Sequence, residues 1–181
     1  MQSPLFFIYL LVMKKIIHMV SVMLAAICLA GCIKESAGAD LKVGDRLPEF
    51  SVRMNNDAVV SDRSLLGNVS CVVFFHTSCP DCQKTLPVVQ SIYDEYSLRD
   101  VNFALISREQ SEVDILPFWK EKGLDMPYSA QKDRYVYSKF ASARIPRVYI
   151  CDKDGIIRYI FTDDPIPAYD DLMSSLESLI R

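Results

Sequence analysis

Two of the chain's six cysteines, Cys79 and Cys82, stand with two residues between them in "VVFFHTSCPDCQKTLPVV" (residues 72–89). A C-x-x-C pair serves three chemistries: it clips a soft metal ion, staples a loop, or exchanges electrons as a dithiol. The surroundings discriminate among them. Ser70–Phe75 is a continuous apolar, β-branched run of the kind that forms a buried central strand. Behind the pair, "QKTLPVVQSIYDEY" places Leu86, Val89, Ile92, Tyr93 and Tyr96 at helical spacing, with Pro87 expected to kink the helix. A strand passing through C-x-x-C into a helix puts Cys79 at the helix N-cap. Pro80 then takes the first helical position, where its missing N–H costs nothing. Free amides and the positive end of the helix dipole favour an anion there. A thiolate is such an anion, so Cys79 is the expected attacking sulfur. Cys82, one turn in, is the expected resolving sulfur that attacks a mixed disulfide on Cys79.

The rest of the chain supplies the elements that would hold this turn. "VGDRLPEFSV" leads into a strand near residues 50–54, Asn55–Asp57 is turn chemistry, and Ala58–Ser61 returns as a second strand. "VNFALIS" (Val101–Ser107) is another buried strand. "SEVDILPFWKEKG" is helical, with Ser111 as cap, Pro117 as an interruption and Gly123 as a stop. A short helix is expected at Arg134–Ala141. "RVYICD" and "IIRYIF" flank "DKDG", a hairpin signal. A last helix collects Leu172, Met173, Leu176, Leu179 and Ile180 on one face. This order predicts an α/β fold with a central mixed sheet flanked by helices and an N-terminal β-hairpin extension.

At the N-terminus, Lys14 and Lys15 precede an apolar run from Ile16 to Ala30 that ends in "LAGC" at Leu29–Cys32. A basic start, an apolar core and small residues before a cut form the secretory pattern. Its basic region fits a start at Met13 better than one at Met1. "LAGC" resembles the lipobox of bacterial lipoproteins, which implies lipidation at Cys32. The expected organisation is a signal peptide over 1–31, a lipidated Cys and tether over 32–40, and one domain over 41–181. The domain would then face outward from a membrane in the cell envelope, the periplasmic side, where thiol pairs are redox-active or bridged. Removing Lys14 and Lys15 from 20 basic residues leaves 18 against 23 acidic ones, taking the formal charge from −3 to −5. No basic patch points to nucleic acid.

"VGDRLPEF", "VVFFHTSCPDCQKTLP" and "RIPRVYICDKDGIIR", in that order, resemble the thioredoxin-fold thiol-disulfide oxidoreductases of the TlpA/ResA type over residues 42–180. The resemblance implies exchange with protein dithiols and disulfides, electrons passing to or from another dithiol protein, and no metal or organic cofactor. It implies that Pro146 is cis and lies against the pair, and that the Ile145 backbone is left free to hold an extended substrate by β-augmentation. Arg144 and Arg147 flank that position and are expected to favour a thiolate or acidic partners. The chain also departs from the pattern. Thioredoxins place a buried Asp where Val73 stands, many TlpA/ResA-type proteins place a Glu where Thr85 stands, and Ser78 replaces the usual Trp. The carboxylate credited with handling the resolving thiol's proton is therefore missing. His76 and Asp81 are the nearest replacements as proton carriers. Asp81 also opposes a second negative charge at Cys79, which points to a less oxidising pair than a C-P-H-C site and hence to a reductase.

In the same arrangement, pairing residue 76 with 146 sets Cys71 opposite Cys151, with their side chains expected close together as free thiols. Four rival readings are weighed against this one, and the residues present exclude the first two. A peroxiredoxin needs a P-x-x-x-T/S-x-x-C setting, where this chain has Val72 and His76; c-type haem needs a His where Gln83 stands. Cu(I) held by the two thiols and His76 is the metal alternative. A thioredoxin-like module that grips a partner without catalysis is the other.

Overall fold

The computed structural model describes residues 40–99 and 101–180, together with Lys14 and Lys15. The signal peptide, the lipobox with Cys32 and the tether up to residue 39 lie outside the described residues. Among the described residues, no helix is long and apolar enough to cross a membrane.

Among the described residues from 40 onward, seven strands and three α-helices follow in the order β1 (Ser51–Arg53), β2 (Val59–Ser61), β3 (Val69–Phe75), α1 (Pro80–Tyr96), β4 (Val101–Ser107), α2 (Glu112–Lys122), β5 (Tyr128–Ser129), β6 (Arg147–Cys151), β7 (Ile157–Phe161) and α3 (Tyr169–Ile180). β1 and β2 form the expected antiparallel hairpin. The other five make one mixed sheet in the order β5-β4-β3-β6-β7, parallel from β5 to β3 and antiparallel from β3 to β7. β3 is central, and all seven of its residues are buried. Side chains alternate across a strand, so Phe74 and Phe75 serve opposite faces. Phe74 packs on Tyr137 and Phe140, with ring centroids 5.3 and 4.8 Å away. Phe75 packs on Trp119 of α2 at 5.0 Å.

Several local expectations change in the folded chain. Pro117 does not interrupt α2, which runs unbroken through it. The ring removes one backbone donor, but the Val113 carbonyl that loses its partner belongs to a residue 81% exposed, so water can serve it. Gly123 ends the helix in the left-handed conformation at φ +63°, as a C-terminal glycine should. α1 likewise continues past Pro87, an exposed position. The short helix expected over 134–141 condenses to one 3₁₀ turn, Tyr137–Lys139. β5, two residues long, gave no periodic signal.

The register of β6 against β3 is also corrected. Cys71 stands opposite Ile150, and Cys151 opposite Ser70. This is one residue away from the expected pairing, and a slip of one reverses the face on which a side chain emerges. Cys71 and Cys151 therefore point to opposite faces of the sheet, both buried and both free. β3 is apolar throughout, so its sequence holds no alternation from which the register could be read.

The hairpin between β6 and β7 closes on Asp152, whose Oδ1 accepts the N–H groups of Asp154 and Ile156, both at 3.0 Å. Gly155 sits there at φ +75°, and a Cβ on it would meet Leu66 Cδ2 at 2.9 Å. The left-handed conformation favours glycine, and a side chain there would also have to push aside the exposed Leu66.

Candidate active site

Cys79 is the N-cap of α1 in extended conformation (φ −81°, ψ 120°), and Pro80 opens the helix. The N–H of Cys79 donates to His76 O at 3.0 Å, closing the turn between β3 and the helix. Cys79 is partly exposed, whereas Cys82 is wholly buried. Both thiols are free, and they stand three residues apart at the start of α1. Burial pushes the Cys82 thiol far up. A hydrogen bond from the His76 backbone and the positive charge of Arg108 oppose that push, while Cys79 adds to it. One sulfur is thus open to a partner and the other is held as a thiol behind it.

The peptide bond between Ile145 and Pro146 is cis, and both residues are buried. The Cys79 thiol lies 3.5 Å from Ile145 O and donates to it. Among the described residues nothing accepts a hydrogen bond from the Ile145 N–H, so one backbone donor, two residues before β6, remains free beside the Cys79 sulfur. Arg144 precedes this edge at φ +69°. Its carbonyl accepts the Tyr137 hydroxyl at 2.5 Å, and its exposed guanidinium reaches Asp163 at 3.6 Å.

Arg147 does not join the site surface. It is 6% exposed, on the same side of the sheet as Phe74, its neighbour across the ladder. Its Nε donates to Ala143 O at 3.1 Å, and its terminal nitrogen pairs with Asp40. A guanidinium at a strand position facing the core must spend its donors inside. Arg147 thus ties down the chain's entry into the domain and is not free to meet a substrate.

His76 is half-buried. Its Nδ1 lies 3.2 Å from the Ser78 N–H and 2.9 Å from the Ser78 hydroxyl. An amide can only donate, so Nδ1 is the acceptor and the neutral ring carries its proton on Nε2. Burial, then the charge of Arg108, lower the His76 pKa, which favours that neutral form. Asp81 is held by Lys84 Nζ at 3.0 Å and turned to the helix surface. Val73 and Thr85, at the two positions of the missing carboxylate, are both buried, and the Thr85 hydroxyl donates to Asp81 O at 2.9 Å. Among the described residues, no group of three or more His, Cys, Asp and Glu side chains is gathered to hold a metal ion.

Three contributors, Gln110, Tyr137 and Arg108, escaped the sequence reading. Gln110 is 5% exposed and clamps the approach to Cys79: its Oε1 accepts the Thr77 N–H at 2.9 Å, and its Nε2 donates to the Thr77 hydroxyl. Gln83 Nε2 takes the Thr77 carbonyl at 2.8 Å, so every polar group of Thr77 is bonded. Tyr137 braces Arg144 from beneath. Arg108 sits at the end of β4, with its N–H on Phe75 O at 2.8 Å. No periodicity or motif marks these three, because their partners lie 7 to 33 residues away along the chain.

Compared with known proteins, the chain matches the AhpC/TSA family over residues 43–160. It is 22% identical over 115 residues to the thiol-disulfide oxidoreductase ResA of Bacillus thuringiensis, covering 64% of this chain and 66% of that protein. The thiol-disulfide oxidoreductase ResA of Oceanobacillus iheyensis is 26% identical over 123 residues, covering 66% of this chain and 64% of that protein. The matched region thus spans just under two thirds of these relatives' length. The crystal structure of the thioredoxin domain of a thiol-disulfide oxidoreductase from Bacteroides vulgatus superposes with a TM-score of 0.67 at 20% identity, covering 78% of this chain and 100% of that one. The hairpin extension, the mixed sheet and the strand–turn–helix around the cysteines carry the same conclusion: the chain belongs to the AhpC/TSA family, as a thioredoxin-fold redoxin of the ResA/TlpA type.

Proposed function

We propose that the chain is an extracytoplasmic, membrane-anchored thiol-disulfide oxidoreductase that reduces disulfides in protein substrates. The observation that carries this reading is the asymmetry of the pair: a partly exposed Cys79 at a helix N-terminus against a wholly buried Cys82 three residues on, whose thiol burial keeps protonated. The names of the relatives point the same way.

In this reading an extended substrate lies along the Ile145 backbone, its disulfide beside Cys79, with Pro146 shaping the floor of the cradle. Cys79 attacks as thiolate, forms a mixed disulfide and expels the first substrate sulfur, which takes up a proton. Cys82 then attacks Cys79 and releases the second. The exposed Arg144 favours acidic groups next to the substrate cysteine. Electrons return to the pair from an upstream dithiol protein. Neutral His76 is the group nearest the turn able to pass a proton. Asp81, already held by Lys84, modulates charge at the helix end. Lipidation of Cys32 is the expected anchor, supported by the lipobox-like "LAGC". Its check is the mass of the N-terminal peptide from the membrane fraction.

The deciding experiment is a redox titration of the full chain in graded thiol/disulfide buffers, with alkylation of free thiols and their location by mass spectrometry. A reversible Cys79–Cys82 couple with a midpoint near thioredoxin's roughly −270 mV is expected for a reductase. If the two thiols never bond with each other, the reading fails, and Cu(I) binding or partner capture without exchange takes its place.

A further inference from the structure

Arg144 stands in the left-handed region at φ +69°. A side chain there costs free energy, because its Cβ crowds the carbonyl that follows, so the conformation persists only where neighbours enforce it. The next residue is Ile145, whose N–H is free and whose carbonyl oxygen meets the Cys79 thiol at 3.5 Å. The strained φ therefore aims the backbone that the Cys79 sulfur touches. The Arg144 guanidinium does not enforce it, being exposed and 3.6 Å from Asp163, beyond hydrogen-bond distance.

Tyr137 does. It is 1% exposed, and its hydroxyl donates to the Arg144 carbonyl oxygen at 2.5 Å. Its ring is fixed by its neighbours. Phe74 of β3 packs on it edge to face at 5.3 Å, and the guanidinium carbons of Arg108 and Arg134 each stand 5.4 Å from its centre. Phe74 belongs to the strand that ends at the Cys79 turn. One buried ring thus joins the strand leading to the attacking sulfur to the segment beside it.

We propose that Tyr137 is a positioning residue for substrate binding: its hydroxyl holds Arg144 left-handed and so sets the Ile145 backbone where an extended peptide can hydrogen-bond beside Cys79. The proposal rests on the oxidoreductase reading above, and assigns to this bond the discrimination between a disulfide carried on a peptide and a small one. Hydrogen bonds weaken steeply with angle. A turn of the backbone at residue 144 therefore costs a peptide its main-chain bonds, whereas a small disulfide needs only the sulfur.

The test compares two reporters with the reduced full chain. One is a linear peptide whose single cysteine carries thionitrobenzoate in disulfide linkage, and the other is the methyl disulfide of thionitrobenzoate. Cys79 displaces the same coloured thiolate from both, and dividing each rate by that of a free thiol removes intrinsic reactivity. The unsubstituted chain is expected to favour the peptide. Y137F is expected to lower the peptide-to-methyl ratio about fivefold, the typical worth of one hydrogen bond, through the half-saturating peptide concentration. A general loosening of the fold would lower both rates together and leave the ratio unmoved. Glycine takes the left-handed conformation without penalty, so in the R144G background Y137F should move the ratio by less than about twofold.

An unchanged ratio in Y137F overturns the proposal, as does a fall confined to the maximal rate. So does an equal fall in both backgrounds, since Tyr137 would then not act through residue 144, or an unsubstituted chain with no preference for the peptide. Should Y137F fail to fold, the R144G background decides. A folded Y137F/R144G chain with the ratio of R144G supports the proposal; failure to fold there too, or a fivefold fall, refutes it. Absence of a Cys79–Cys82 couple in the redox titration overturns the oxidoreductase reading instead, and is established before any variant is compared.

Discussion

The Cys79 thiol and the carbonyl oxygen of Ile145 meet at 3.5 Å, although 66 positions separate them in the sequence. The sulfur that would attack and the backbone that would hold the substrate are thus one local structure, made by the exits of β3 and the start of β6. Attack and resolution then depend on different sulfurs. Cys79→Ser is expected to abolish exchange, whereas Cys82→Ser leaves attack intact and accumulates mixed disulfides. Non-reducing electrophoresis and mass spectrometry of the adducts read the difference. Equal adduct yields from the two variants would contradict the assignment.

Gln110 holds Thr77 from the far side of the β4–α2 loop. Gln110→Ala leaves the buried Thr77 N–H without an acceptor, at an expected cost of about 1–3 kcal/mol in urea unfolding. The Thr77 amide should also exchange with solvent faster than in the parent. Gln110→Glu keeps an acceptor for that N–H but loses the donor to the Thr77 hydroxyl, and should fall between the two. A stability for Gln110→Ala equal to that of the parent would deny the clamp any weight.

Asp40 accepts the Ser142 N–H and hydroxyl, both at 2.8 Å, and pairs with Arg147. The Ser142 backbone bond first, then the Ser142 hydroxyl and Arg147, hold its carboxyl below the ordinary value of 3.8 against the opposing effect of burial. A carboxyl depressed in the folded state contributes stability that is whole above its unfolded value. That stability is lost as pH falls below 3.8 through the folded value. Asp40→Asn should therefore lower the urea midpoint at pH 7 and have a smaller effect near pH 3. An effect of the same size at both pH values would separate the pair from the stability of the domain.

Cys71 and Cys151 should resist alkylation in the native chain and react only once urea unfolds it, because both are buried. Burial raises the Cys71 thiol well above its ordinary value of 9.0 and the Cys151 thiol to about 12, the Ser70 hydroxyl partly opposing the latter. A raised thiol contributes stability that is whole below 9.0 and is lost as pH climbs toward the folded value. Unfolding midpoints should therefore fall above about pH 9. Cys71→Val, close in volume, should cost less than about 1.5 kcal/mol and flatten part of that alkaline loss. Rapid native labelling of either thiol would contradict the buried placement.

Local patterns in the sequence were enough for the strand–turn–helix around Cys79, the hairpin on Asp152, and the extents of β4 and α2. Each of these rests on neighbours a few residues apart: an apolar run, a proline at the first helical position, an Asp-Gly turn, a glycine stop. Resemblance added Pro146 and the backbone at Ile145, which no periodicity marks. Tertiary structure alone decided the pairing of β6 with β3, since a strand buried on both faces has no alternation to set its register. It decided that Arg147 turns inward to Asp40 while Arg144 stays outside, because a strand position opposite Phe74 faces the core whatever its side chain. It also brought Gln110, Tyr137 and Arg108 to the site. Their contacts close between segments remote in sequence, and long-range packing, not local spacing, determines which side chains meet there.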